Sequence, residues 1–122
     1  MILVDTSVWI DHFRKPEMKL QELLHTDEVV THPLVRLKLA SGSIAHREKI
    51  LSDLSLLPQV PVAKTDELFT LLERRKLYSR GIGVTDLHLI ASSLIDQSLS
   101  IWTRDRRLGE IAEEFGLRAA FS

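Results

Sequence analysis

Short runs of consecutive apolar residues, separated by longer amphipathic stretches, limit this chain to a narrow set of architectures. Ile2-Leu3-Val4 is one such run and Leu99 to Thr103 is another. A strand that is apolar at successive positions, rather than at alternate ones, is buried on both faces. The clearest helical pattern is Thr85 to Gln97, where Leu87, Ile90, Ala91, Leu94 and Ile95 keep the 3.6-residue period. Further strands are expected at Glu28–Thr31, Val60–Ala63 and, as a closing edge strand, Leu117–Phe121. Strands buried on both faces and joined by helices give an α/β fold. The expectation is three layers, α/β/α, around a central parallel sheet of four to five strands.

The remaining helices are marked by their punctuation. Pro33 suits a first helical position, and that helix runs to about Ser41 with Gly42 as its stop. Lys19 to Leu24 and Ser43 to Leu57 read as helical. Thr65 or Asp66 caps a helix whose Leu68, Leu71 and Leu72 form a stripe before Gly81. Arg106 to Phe115 is the last helix, with Gly116 as a left-handed stop. With 122 residues and no linker, repeat or low-complexity tract, the chain is expected to form a single domain over residues 1–122.

Composition excludes more than it assigns. The chain has no Cys, which removes disulfides, thiolate nucleophiles and Cys-based zinc sites. The five histidines have no zinc-like spacing, and Gly81-Ile82-Gly83 is too short for a phosphate-cradling loop. The apolar start is broken at once by Asp5, too early for a signal segment, and nothing approaches the roughly 18 apolar residues of a membrane span. A cytoplasmic protein without membrane association is expected. The net charge of −1, from 16 basic and 17 acidic side chains, gives no overall basic footprint for nucleic acid.

Function enters through the positions of three acids. Asp5 closes the first strand, Asp105 follows the strand ending at Trp102-Thr103, and Asp86 opens the most periodic helix. In a parallel α/β sheet, ligands sit beyond the carboxyl ends of the strands. Taken singly, each acid reads equally as a helix cap or turn residue. Together, at corresponding ends of elements, they predict a carboxylate cluster. Crowded carboxylates need a positive charge between them, and hard oxygen ligands with open positions suit Mg²⁺ or Mn²⁺. Thr6, Ser7 and Thr103 add hydroxyls suited to orienting a carboxylate, a water or a phosphate.

Four segments then resemble, in order and over nearly the whole chain, the motifs of PIN-domain proteins of the VapC toxin family. They are Val4-Asp5-Thr6-Ser7-Val8-Trp9-Ile10-Asp11, Thr31-His32-Pro33-Leu34-Val35, Gly81-Ile82-Gly83-Val84-Thr85-Asp86, and Leu99 through Leu108. The resemblance implies a PIN-like fold and a Mg²⁺- or Mn²⁺-dependent endoribonuclease. It implies a small VapB-like antitoxin as partner, a homodimer, and structured RNA such as transfer or ribosomal RNA as substrate. Asp5, Asp86 and Asp105 match three of the family's four site acids and would be its metal ligands.

At the fourth place the family has Glu and this chain has Lys38. Lys38 lies one turn after Leu34 and beside Leu37, on a helix that must face the sheet. It is expected to enter the acid pocket and pair with Asp5, Asp86 or Asp105, reducing metal affinity and activity. The bland alternative is a lysine that snorkels to solvent. Two readings of function follow: a metal-dependent endoribonuclease toxin impaired in this chain, or an inactive PIN module that binds antitoxin or RNA without cutting. Arg104, Arg106 and Arg107 cluster beside Asp105 and are candidate RNA-phosphate contacts. The bland reading of these three is a solvated helix face. Trp9 and Trp102 read as packing.

Overall fold

A computed structural model describes all 122 residues. The chain runs β1 (Ile2–Val4), α1 (Thr6–Arg14), α2 (Met18–His25), β2 (Val29–Val30), α3 (Pro33–Ala40), α4 (Arg47–Ser55), α5 (Thr65–Arg74), α6 (Val84–Ile95), β3 (Ser100–Trp102) and α7 (Arg106–Glu114). The sheet is parallel with order β2-β1-β3, pairing Leu3 with Val30 on one side and Val4 with Trp102 on the other. Adjacent residues of a strand point to opposite faces. Because Leu3 and Val4 are both fully buried, both faces of the central strand are covered, as its continuous apolar run requires.

The sheet is smaller than the four to five strands expected, with three strands in its ladders. Each edge is extended only by a single bridge, Thr31 to Gln59 at one and Ile101 to Arg118 at the other. On the first edge, Thr31 N–H donates to the Pro58 carbonyl and Val60 N–H to the Thr31 carbonyl, and then Pro33 has no N–H to offer the Val60 carbonyl and continue the ladder. On the second, Ala119 N–H reaches the Ile101 carbonyl before the chain turns, with Ser122 N–H on the Ala119 carbonyl.

Helix boundaries differ where the backbone goes left-handed. The stretch expected to be helical from Ser43 begins only at Arg47, because His46 has φ 53°. The helix after Thr65 stops at Arg74 rather than running on toward Gly81. Lys76 takes φ 53° there, and Leu77 N–H closes on the Leu72 carbonyl. Its N-cap position is Lys64, whose N–H is held by Glu67, rather than Thr65 or Asp66. Gly116 stops α7 as expected: it has φ +68°, and Leu117 N–H returns to the Ala112 carbonyl. No helix is long and apolar enough to cross a membrane.

Candidate active site

Parallel pairing puts the ends of β1 and β3 on one edge, and Asp5 N–H on the Trp102 carbonyl (2.9 Å) locks them together. Asp5 is almost fully buried and occupies the N-cap position of α1, yet its side chain caps nothing. Its Oδ2 instead accepts hydrogen bonds from Ser7 Oγ and Thr103 Oγ1, both at 2.7 Å. Those hydroxyls are themselves oriented: Ser7 Oγ accepts from Arg104 N–H and Thr103 Oγ1 from Asp105 N–H. A cap needs none of this. The two hydroxyls fix one carboxylate oxygen of Asp5 and leave Oδ1 without a protein partner. Thr6 stays outside the network; its Oγ1 is buried and unpaired.

Asp105 takes the capping role weighed from the sequence and keeps one oxygen free. Its Oδ1 caps α7 by accepting from Leu108 N–H at 2.9 Å, and Oδ2 takes no protein hydrogen bond. Asp86, in the first turn of α6, accepts from Gly83 N–H at 3.3 Å. Burial pushes its carboxyl pKa up, against the Gly83 N–H, which lowers it. The negative charges of Asp5 and Asp105 add to the rise, and Lys38 opposes it. Asp5 and Asp105 thus both lie close enough for their charges to be felt at Asp86. The three acids are not drawn tightly enough to cage a cation by themselves. Each nevertheless keeps a free oxygen, and an array of hard oxygen donors fits a divalent cation with water in its open positions.

Lys38 departs from expectation. It makes no ion pair with Asp5, Asp86 or Asp105, and its side chain is exposed. The buried stripe of α3 is Val35 and Leu39, whereas Leu37 is 63% exposed, so the helix is rotated from the phase read in the sequence. Lys38 sits at the rim of that stripe and snorkels outward, its charge reaching Asp86 only through space.

The arginines beside Asp105 separate into different roles. Arg104 is bound by Asp11 and Glu17 (2.7 and 2.5 Å) and lies over the Trp102 ring, which removes it as a free phosphate contact. That hydrogen bond is the main cause of the lowered Glu17 pKa. Arg106 pairs with Glu110 on an exposed helix face. Arg107 has no carboxylate partner and lies across Gly81.

Sequence reading passed over His32, which is fully buried and caps α3 through Nδ1 on Leu34 N–H (3.0 Å). The usable signal was its place immediately before a helix-opening proline. Trp9 and Trp102 are packing residues, 3% and 5% exposed.

The hydroxyl pair makes a direct prediction. Thr103→Val removes a donor from a buried carboxylate and orphans Asp105 N–H. It should lower the unfolding free energy by about 2 kcal/mol in a urea titration; a loss under about 0.5 kcal/mol would show that Asp5 does not depend on it.

Known proteins resemble this chain over nearly its full length. The PIN domain model matches residues 2–114. Ribonuclease VapC32 of Mycobacterium tuberculosis is 46% identical over 120 residues, covering 98% of this chain and 97% of its own length. Ribonuclease VapC1 of Methanocaldococcus jannaschii is 31% identical over 121 residues, covering 96% of this chain and 85% of its own. Near-complete coverage in both directions, together with a parallel α/β fold and acids at its strand ends, places the chain in the VapC family of PIN-domain proteins.

Proposed function

We propose that the chain is the toxin component of a VapBC-type pair, a metal-dependent endoribonuclease acting on structured RNA such as transfer or ribosomal RNA, and that Lys38 impairs it. The observation that carries the proposal is Asp5: a buried carboxylate that forgoes its cap, is oriented by two hydroxyls and, like Asp105, is felt electrostatically at Asp86. Asp5, Asp86 and Asp105 would hold Mg²⁺ or Mn²⁺. Such an ion supplies a water of lowered pKa and offsets charge on the phosphodiester. The protein's own contribution is to hold the acids: Ser7 and Thr103 fix Asp5, Gly83 N–H fixes Asp86, and Leu108 N–H fixes Asp105.

The antitoxin side of the proposal is supported by an apolar groove of about 380 Å³, lined by Trp9, Phe13, Leu24, Ile50, Leu54 and Leu57 among others. It suits an apolar segment of a VapB-like partner. A homodimer and a cytoplasmic location complete the proposal. A second reading, an inactive PIN module that binds antitoxin or RNA, is favoured by one observation: the fourth acid position holds an exposed, unpaired ammonium.

The purified chain should cleave structured RNA slowly in Mn²⁺ and stop on chelation. Asp5→Asn should weaken Mn²⁺ binding about ten-fold, measured by electron paramagnetic resonance. Cleavage that persists in Asp5→Asn would overturn the assignment. Antitoxin or RNA binding with no cleavage at any Mn²⁺ concentration would favour the inactive module.

A further inference from the structure

We propose that Arg107, whose side chain lies along the backbone of Gly81, binds an RNA phosphate at the rim of the acid cluster. The inference rests on the nuclease reading and selects one side chain from three basic candidates.

Arg104 has both terminal nitrogens on carboxylates, and Arg106 is held by Glu110 one turn along. Arg80 and Arg118 are likewise paired, with Glu114 and Glu113. Arg107 keeps its guanidinium donors free of any acid, and its exposed side chain lies along the Gly81 loop. A Cβ added at Gly81 would stand 2.4 Å from Arg107 Nη1 and 2.8 Å from its Cδ and Cζ, so the side chain lies against the loop backbone. Gly81 also holds φ +78°, which a side chain would strain. The planar fork of Arg107 matches a phosphate's oxygens.

The location suits the substrate. Arg107 is two residues past Asp105, and Gly81 is two residues before Gly83, whose N–H holds Asp86. The side chain therefore bridges the two segments that carry these acids. The cation felt at Asp86 is Lys38 and not Arg107, so Arg107 stands beside the cluster instead of neutralising it. A strand of RNA whose phosphodiester faces the acids can set a neighbouring phosphate on Arg107 without any base being read.

The test is binding of a fluorescein-labelled RNA hairpin in metal-free buffer, followed by anisotropy across a salt series. Arg107→Gln should bind about ten-fold more weakly and lose about 0.7 to 0.9 from the slope of log affinity against log salt, the signature of one lost phosphate contact. Arg107→Lys should keep the slope, and Arg106→Gln should match the parent. An unchanged slope in Arg107→Gln, with its thermal melt also unchanged, overturns the inference alone. A parent chain that binds no RNA overturns the nuclease reading with it.

Discussion

Lys38→Glu is expected to raise RNA cleavage by about 100-fold or more and to tighten Mn²⁺ binding by about 10- to 100-fold. The change replaces an ammonium with a carboxylate, two units of charge, at a position whose charge is felt at Asp86 together with those of Asp5 and Asp105. Lys38 is exposed, so solvent screens its charge, and a contact ion-pair energy overstates the effect. Even about 2 kcal/mol between a divalent ion and a screened charge corresponds to roughly 30-fold in affinity. The new carboxylate adds a fourth oxygen donor to that gain. No ion pair has to be broken to move it, because Lys38 pairs with none of the three acids. The measurement is cleavage rate and Mn²⁺ affinity for parent and variant under the same salt. Equal rates in the two proteins would remove Lys38 as the cause of impairment, and rescue without tighter Mn²⁺ binding would assign its effect to substrate instead. Lys38→Met separates the components: it deletes the positive charge without adding a ligand and should recover only part of the activity.

The positions of Asp5 and Asp105 were legible because strand ends are. A continuous apolar run followed by an acid gives both the element and the edge on which its acid falls, and β1 and β3 lie paired with Asp5 and Asp105 on that edge. Lys38 was misplaced for the opposite reason. Two apolar residues, Leu34 and Leu37, suggested the inner face of α3, while packing selected Val35 and Leu39. Eight residues are too few for periodicity to fix a helix's rotation when four of them are apolar and bulky. The sheet edges failed similarly, since Val60 and Leu117 look like strand residues and only the missing N–H of Pro33 and the final turn shorten them to single bridges. Sorting the arginines required partners distant in sequence, Asp11 and Glu17 for Arg104 and Gly81 for Arg107.

Acid should destabilise the fold through His32, by up to about 3 kcal/mol between pH 6.5 and 4. Its Nδ1 accepts from Leu34 N–H, which requires the neutral ring with its proton on Nε2. That Nε2 is buried without a partner, as is Nδ1 of His88, whose ring centre lies 5.1 Å away. Burial, and then the positive charges of His88 and Arg36, lower the His32 pKa to about 4. In the unfolded chain the ring titrates near its ordinary value of 6.5. Between those two values the unfolded state binds the extra proton, so stability rises with pH across the window and is lost as pH falls through it. Asp86 works the other way: its carboxyl is raised, so acid relieves a buried charge and offsets part of the loss near the bottom of the window. His32→Asn isolates the effect, because an amide oxygen can keep the cap on Leu34 N–H while removing the titration. Urea unfolding at pH 7, 5.5 and 4.5 should show a steep decline for the parent and a much flatter one for His32→Asn, from a lower starting stability. Parallel curves for the two proteins would mean that the ring ionises in the fold as easily as in water, and that α3, the helix carrying Lys38, does not depend on a neutral histidine at its start.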